Sequence, residues 1–295
     1  MTRLTQHDFD PEVLKLFDQY VHGQIDRRAF LSQAARYAVG GVTAASMLTA
    51  LSPSFAATMV APADPRIVAT YVEYPSPQGY GKLRGYLVRP ANAKGKLPTV
   101  LVVHENRGLN PHIEDIARRV ALDNFIAFAP DALFPLGGYP GDEDKARELF
   151  SKLDQVKTRA DFVQAAEVLR KIDGASGKLG VVGFCYGGGI ANYLPTVLST
   201  IGASVPFYGQ QAPAAEVPKV KTPLMIHDAE LDTRILAGWP VYEAALKANK
   251  VDYQHYVYAG AQHGFNNDTT PRYDEAAAKL AWGRTMDFFR KHLGG

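Results

Sequence analysis

The chain has one cysteine in 295 residues, so no intramolecular disulfide can form. A single thiol also excludes a zinc site that needs two or more thiolates. Charge is nearly balanced, with 32 lysines and arginines against 30 aspartates and glutamates, and no basic run stands out. This balance argues against a nucleic-acid-binding surface and favours a small organic substrate. The length suits one large α/β domain or two small ones, and no internal repeat is visible.

Residues 1–56 differ in sequence character from the rest of the chain and resemble a targeting segment more than part of a fold. Arg27 and Arg28 precede a Gly- and Ala-rich, moderately apolar stretch, which resembles a twin-arginine export signal, and residues 54–56 (Ser-Phe-Ala) fit a cleavage site. Arg36 interrupts the apolar run, and the Gly, Ser and Thr that follow do not favour a transmembrane span. We therefore predict an export segment over 1–56, recognised by the export machinery and directing the chain to the periplasm, and a globular domain over 57–295.

An alternative for the same segment is a retained helix in a cytoplasmic protein. The stretch "PEVLKLFDQYV" has the apolar spacing of an amphipathic helix and makes the region before the arginines long for a signal.

From residue 67 onward, strand and helix patterns alternate. Two strands over 67–74 and 83–89, joined by a Gly/Pro turn, predict an antiparallel lead-in. The continuous β-branched run "TVLVVHE" then predicts a parallel strand covered on both faces. Further strands and amphipathic helices follow to the C-terminus. We expect a doubly wound, mostly parallel sheet whose reactive groups lie at the carboxyl ends of its strands.

The cysteine lies in "VVGFCYGGG", where a strand pattern turns into a helix. Gly183 and Gly187 stand two residues before and after Cys185, as a sharp nucleophile elbow requires. The N-terminus of the following helix favours a thiolate and a developing oxyanion, with the main-chain N–H of Tyr186 as the expected donor. The alternative is that Cys185 is a small buried apolar residue.

A thiol with an ordinary pKa needs a base, and in this fold the order is nucleophile, acid, histidine. "PLMIHDAELDTRI" offers Asp228 and Asp232 as the acid, and we favour Asp232 because it lies in the loop beyond the strand. His263, in "YAGAQHGFN", occupies the expected slot before the last helix. The other seven histidines are weaker candidates, and three of them, His7, His22 and His292, are set aside as terminal.

Glu105 ends the strand "TVLVVHE" on the edge of the sheet that carries the elbow. A buried glutamate there would be able to accept the proton of the thiol, and the main-chain N–H of Asn106 would serve as a second oxyanion donor. A thiol, an imidazole and two carboxylates supply the chemistry, so no metal or organic cofactor is expected.

Taken in order, "VVHENRGLN", "GFCYGGG", "LDTRI" and "QHGF" resemble the dienelactone hydrolase family, the cysteine members of the α/β-hydrolase fold, from about residue 67 to residue 293. The resemblance implies hydrolysis of an enol-lactone through an acyl-enzyme. It makes Cys185 the nucleophile, His263 the general base, Asp232 its orienting acid and Glu105 the group that helps to generate thiolate.

One departure leaves the substrate open, because Asn267 stands where that family has a substrate-binding arginine. The residues considered for substrate binding or the pocket are Arg107, Arg147, Arg234, Arg272, Phe184, Tyr186, Tyr208, Phe265 and Asn267. We expect a monomer or homodimer acting on a small ester or lactone. Alternatives are a general carboxylesterase or acyltransferase, a non-catalytic protein that retains the fold and, on weaker grounds, an amidotransferase-like enzyme.

Overall fold

An eight-stranded sheet organises the computed structural model, which describes residues 3–56 and 58–294. The strands are β1 (Ile67–Ser76), β2 (Gly81–Pro90), β3 (Leu97–Val103), β4 (Ile126–Pro130), β5 (Ala175–Phe184), β6 (Ile201–Phe207), β7 (Leu224–Ala229) and β8 (Tyr253–Tyr258). The helices are α1 (Pro11–Val21), α2 (Arg27–Ala34), α3 (Ala44–Leu51), α4 (Pro111–Leu122), α5 (Glu143–Ser151), α6 (Gln155–Leu169), α7 (Tyr186–Val197), α8 (Thr233–Leu236), α9 (Trp239–Ala248) and α10 (Glu275–Leu293). Short 3-10 turns lie at Gln6–Asp8, Ala35–Tyr37, Phe134–Leu136 and Ala214–Lys219.

The strand order is β1-β2-β4-β3-β5-β6-β7-β8. The β1/β2 and β2/β4 pairs are antiparallel, and the other neighbours are parallel. The predicted α/β-hydrolase architecture, a mostly parallel doubly wound sheet with an antiparallel lead-in, is confirmed. The chain leaves β3 for β4 on one side and reaches β5 on the other, and this reversal opens a crevice at the carboxyl ends of the strands.

Both faces of the sheet are covered, which is why β3 is buried along its whole length. Helices α4 and α10 pack on one face, and α5, α6 and α7 pack on the other. Helix α7 begins at Tyr186, directly after Cys185. One predicted boundary that bears on the site differs from the structure: β3 ends two residues before Glu105, so Glu105 lies in the loop that follows the strand.

The N-terminal segment, residues 3–56, folds into a helical cluster with its own apolar core. Helix α1 has the bounds of the amphipathic stretch in the sequence. Arg27 begins α2 and forms an ion pair with Asp144 at 2.9 Å, and Phe30 is fully buried in the cluster. The segment predicted as an export signal is therefore helical and packed against the domain. Its removal after Ala56 stays a prediction, and the next residue, 57, lies outside the described residues.

Within residues 3–56 and 58–294, no helix has both the length and the apolar character required to cross a bilayer.

Candidate active site

Cys185 forms a strained turn between β5 and α7, with φ +54° and ψ −111°. Few non-glycine residues adopt such a conformation, and when they do it is often at a functional site. The flanking glycines are required by space. A Cβ on Gly183 would lie 1.9 Å from the carbonyl oxygen of Gly187, and a Cβ on Gly187 would lie 2.2 Å from that of Val103. The turn therefore holds the partly buried sulfur above the edge of the sheet.

Tyr186 and Asn106 were expected to supply two main-chain N–H groups to an oxyanion. Tyr186 is the first residue of α7, so its N–H has no intrahelical acceptor and lies at the positive end of the helix dipole. Asn106 follows β3 on the same edge of the sheet, and its side chain donates to the carbonyl oxygen of Val21 at 2.9 Å. Both residues lie next to the thiol, in the loop and helix start that surround it.

His263 is held by Asp232, whose carboxylate lies 2.5 Å from Nδ1. This contact leaves Nε2 for the thiol, and Nε2 is buried without a hydrogen-bond partner among the described residues. Asp228, the other candidate acid, instead contacts His255 at 3.0 Å. The structure thus brings Asp232, and not Asp228, to the imidazole beside the cysteine.

Two other histidines near strand ends are engaged elsewhere. His104 is fully buried, and its Nε2 accepts from the main-chain N–H of Ala132 at 3.1 Å. His227 is also fully buried and contacts the hydroxyls of Tyr258 and Thr285. These contacts tie both rings into the packing rather than into the cleft.

His22 is the site residue that we missed. It follows α1 directly, and its Nε2 lies 3.5 Å from Sγ of Cys185. Its Nδ1 lies 2.7 Å from the main-chain oxygen of Asp18 and 3.3 Å from the carboxylate of the same residue. The rings of His22 and His263 meet edge to face with centroids 4.6 Å apart. The sequence feature that could have indicated His22 is the amphipathic pattern of α1, because its apolar face has to pack against another part of the protein.

The two imidazoles set the charge state of the thiol. Burial alone would raise the pKa of Cys185, but the charges of His263 and His22 and their hydrogen bonds outweigh it and lower that pKa. Burial alone would lower the pKa of His263, but the thiolate and Asp232 raise it. The pKa of His22 is likewise raised, against the effect of burial, by Cys185 and Asp18. The site therefore favours a thiolate beside imidazolium.

Glu105 lines the same small cavity as the thiol. Its carboxylate accepts a hydrogen bond from Nδ2 of Asn267 at 3.0 Å. Within the described residues, the hydrogen bond of the thiol goes to His22 and not to Glu105. Asn267, at the position of the family's arginine, therefore binds a carboxylate of the protein itself.

Each of the four arginines considered for substrate binding contacts the N-terminal segment. Arg107 and Arg147 donate to main-chain oxygens at the C-terminal end of α1, which is the negative end of its dipole. Arg234 lies 3.1 Å from Nε2 of His22, and Arg272 lies 3.6 Å from the carboxylate of Asp18. The segment therefore occupies the cationic part of the cleft.

A wider opening reaches Cys185 from the other side. It is a groove of about 530 Å³, and its lining includes Tyr186, Ile190, Tyr193, Gln210, Val241 and Tyr242. A second space of about 350 Å³ lies between this groove and His22, and Tyr208 lines it. Phe265 was expected in the pocket, but it is fully buried and packs on Phe207, Tyr208 and Tyr258, and Phe184 is core as well.

Sγ of Cys185 and one nitrogen each of His22 and His263 lie within 4.8 Å of one another, a spacing that a soft metal ion can use. The guanidinium of Arg234 lies 3.1 Å from Nε2 of His22 and 3.4 Å from Nδ1 of His263. A fixed positive charge at that distance opposes the binding of a cation between the three groups.

Comparison with known proteins adds the family context. The model of the "Dienelactone hydrolase family" matches residues 83–293, and a model described as "YqhI-like" matches residues 1–38. A curated relative from Escherichia coli K12, "Putative carboxymethylenebutenolidase", is 31% identical over 83% of this chain and 94% of its own length. Another from the same strain, "Putative hydrolase fragment YghX", is 58% identical over 38% of this chain and 97% of its own length. The crystal structure of a "Putative Dienelactone Hydrolase" from Klebsiella pneumoniae superposes with a TM-score of 0.68 at 28% identity, covering 76% of this chain and 99% of that one.

Proposed function

This chain belongs to the dienelactone hydrolase family, and we propose that it hydrolyses a lactone or small ester through an acyl-enzyme on Cys185. The observation that carries the proposal is the elbow sulfur lying beside an imidazole whose Nδ1 is held by a carboxylate. Both this geometry and the order of the three residues in the chain support a triad of nucleophile, base and orienting acid.

In the acylation step, Nε2 of His263 takes the thiol proton and both electrons of the S–H bond stay on sulfur. The thiolate of Cys185 attacks the carbonyl carbon, a C–S bond forms, and the carbonyl π electrons move to oxygen. The N–H of Tyr186 and the positive end of α7 stabilise that oxyanion, with the N–H of Asn106 as the second donor. When the oxyanion collapses, the C–O bond breaks and the leaving oxygen takes the proton from His263.

In deacylation, water replaces the thiolate as the nucleophile and the sulfur of Cys185 becomes the leaving group. Neutral His263 accepts a proton from water while the water oxygen bonds to the acyl carbon. The C–S bond then breaks, sulfur leaves with its electrons, and the acid product departs. Asp232 fixes the tautomer of the ring and stabilises the imidazolium that forms in both steps.

Glu105 has a secondary role in this scheme. The family resemblance suggests that it helps to generate thiolate, but here its carboxylate accepts from Asn267. We therefore propose that an imidazole, and not Glu105, carries the thiol proton. Glu105 acts on the thiol only through the electrostatic effect of its carboxylate in the same cavity.

The test is hydrolysis of an activated aryl ester by the full chain. We expect Cys185→Ala and His263→Ala each to lower kcat/KM by about 10²-fold or more, with unchanged thermal unfolding. Intact mass after brief incubation with lactones and esters should show one added acyl group, and none in Cys185→Ala. Full activity in Cys185→Ala would refute the proposal.

A general carboxylesterase or acyltransferase is the second candidate. The groove of about 530 Å³ favours it, because tyrosine and aliphatic side chains in its lining suit an acyl chain; Arg159 lines the groove as well. A panel of aryl esters with acyl chains of increasing length separates the two. A maximum of kcat/KM for simple acyl chains supports the esterase, and a preference for lactones supports the first candidate.

Export remains a further proposal, supported by the twin arginines and the residues before position 57. N-terminal sequencing of the protein from a periplasmic fraction tests it, with Arg27→Lys combined with Arg28→Lys as the comparison. Recovery of uncleaved chain only in the cytoplasm would contradict it.

A further inference from the structure

We propose that His22 is a second catalytic imidazole, brought to Cys185 by the N-terminal segment and held by Asp18 as a positioning residue. This inference rests on the proposed ester hydrolysis. It assigns the nucleophile two carboxylate–imidazole pairs, one from the domain and one from a helix that precedes it in the chain.

An aspartate holds Nδ1 of each imidazole. Nδ1 of His263 lies 2.5 Å from the carboxylate of Asp232, and Nδ1 of His22 lies 2.7 Å from the main-chain oxygen of Asp18 and 3.3 Å from its carboxylate. Each therefore has Nε2 left for other partners, and Nε2 of His22 lies 3.5 Å from the sulfur. A histidine that only packed at the end of a helix would need neither the carboxylate nor the approach to the thiol.

The position of His22 is fixed by several contacts on either side of it. The carbonyl oxygen of Val21 accepts from Asn106 at 2.9 Å and is also contacted by Arg107. Phe17, on the preceding turn, is buried, and the guanidinium of Arg272 lies 5.1 Å from the centre of its ring. The last turn of α1 is thus held against the loop after β3, so the ring has a defined place in the cleft.

Opposing charges act on this imidazole. Asp18 and the thiolate favour the protonated ring, whereas Arg234, 3.1 Å from Nε2, opposes it. The charged and titratable groups around His22 and the thiol are Asp18, Tyr20, Glu105, Arg107, Glu143, Asp144, Arg147, Tyr186, Tyr208, Arg234, His263 and Arg272. On balance the pKa of His22 is raised, so the ring holds a proton more readily than a free imidazole does.

The two imidazoles divide the proton transfers. In this refinement of the proposed mechanism, Nε2 of His22, rather than His263, holds the proton that the thiol has lost, and the electron pair stays on the sulfur of Cys185 as the C–S bond forms. Protonated His263 gives its proton to the leaving oxygen when the C–O bond breaks. In deacylation, neutral His263 takes a proton from water, the water oxygen bonds to carbon and the C–S bond breaks. The thiolate then takes its proton back from His22, and every proton is accounted for.

The test uses the only cysteine of the chain as its own reporter. The rate of alkylation by iodoacetamide is measured against pH for full-length wild type, for His22→Gly and for a matched control, His7→Gly. His7 is an exposed histidine of the same segment. We expect the midpoint of the alkylation profile to rise by about one pH unit in His22→Gly, which is about a tenfold loss of thiolate on the acidic limb. The His7→Gly profile should match wild type.

Chemical rescue separates catalysis from a structural role. Added imidazole should restore ester hydrolysis by His22→Gly and should change neither wild type nor His7→Gly. An unchanged alkylation midpoint, or a loss of hydrolysis that imidazole does not restore, overturns the assignment. Wild type that hydrolyses no ester but shows the expected shift in His22→Gly refutes the proposed hydrolysis and leaves the coupling between His22 and Cys185 standing.

Discussion

The charge state of Cys185 gives the sharpest prediction about the site. Burial in the cleft would raise the pKa of the thiol, but His263 and His22 lower it to about 5 from an ordinary value of 9.0. At pH 7 a thiol of ordinary pKa is about 1% ionised, whereas one with the lowered pKa is about 99% ionised. The structure therefore predicts about a hundredfold more thiolate at neutral pH than an unperturbed cysteine has.

The direction of the pKa shift determines how the alkylation rate depends on pH. Because the pKa is lowered, thiolate persists as pH falls, and alkylation by iodoacetamide should stay level from pH 8 to about pH 6. Below about pH 5 the rate should fall about tenfold per pH unit as the sulfur of Cys185 is protonated. Glutathione alkylated in the same buffers supplies the ordinary thiol for comparison. A midpoint for the protein near that of glutathione would refute the electrostatic reasoning for the whole cleft.

Two matched pairs of variants test the geometry. Asp232→Asn should lower kcat/KM for an aryl ester by about 10²-fold or more because the imidazole loses its orienting carboxylate, whereas Asp228→Asn should leave the rate close to wild type. Equal losses in the two variants would contradict the assignment of the acid. Gly187→Ala should lower the free energy of unfolding by about 1–3 kcal/mol or more, since its Cβ would lie 2.2 Å from the carbonyl oxygen of Val103. Gly283→Ala, in a helix with open space around it, should instead be stabilising by about 0.5–1 kcal/mol in urea unfolding. Indistinguishable stabilities would show that the elbow tolerates a side chain.

The parts of the site that could be predicted from sequence are those fixed by local constraints. An elbow needs glycines at two set positions, and a parallel strand buried on both faces gives a continuous apolar run, so Cys185 and the strand before it are visible in the printed sequence. The position of His263 follows from the order of nucleophile, acid and histidine along the chain in this fold. The choice between Asp228 and Asp232 was harder, because both lie near the end of one strand and only the packing shows which carboxylate meets His263.

The parts that could not be predicted depend on docking between distant segments. His22 and Cys185 are 163 positions apart, and nothing in the spacing of either residue indicates that they meet. The arginines show the same limitation. Arg234 and Arg272 resemble free cationic groups in the sequence, but the end of α1 contacts both, and a pattern of charges does not reveal which acid or carbonyl will fold against it.

The proposed export signal and the proposed catalytic role of His22 would make competing demands on the N-terminal segment. Cleavage after Ala56 would remove His22 and Asp18, and it would also remove the carbonyl group of Val21, to which Arg107 donates. Arg107 and Arg272 are buried with the segment in place, so its loss would expose cationic groups beside the thiol and widen the cleft. A cleaved chain should therefore favour esters that carry a carboxylate, because Arg272 would lose Asp18, its ion-pair partner, and a guanidinium without such a partner binds carboxylates well. The intact chain, with those arginines engaged and a second imidazole on the sulfur, should favour uncharged esters that enter by the wide groove. The charge preference of the enzyme thus reports which form of the N-terminus is present.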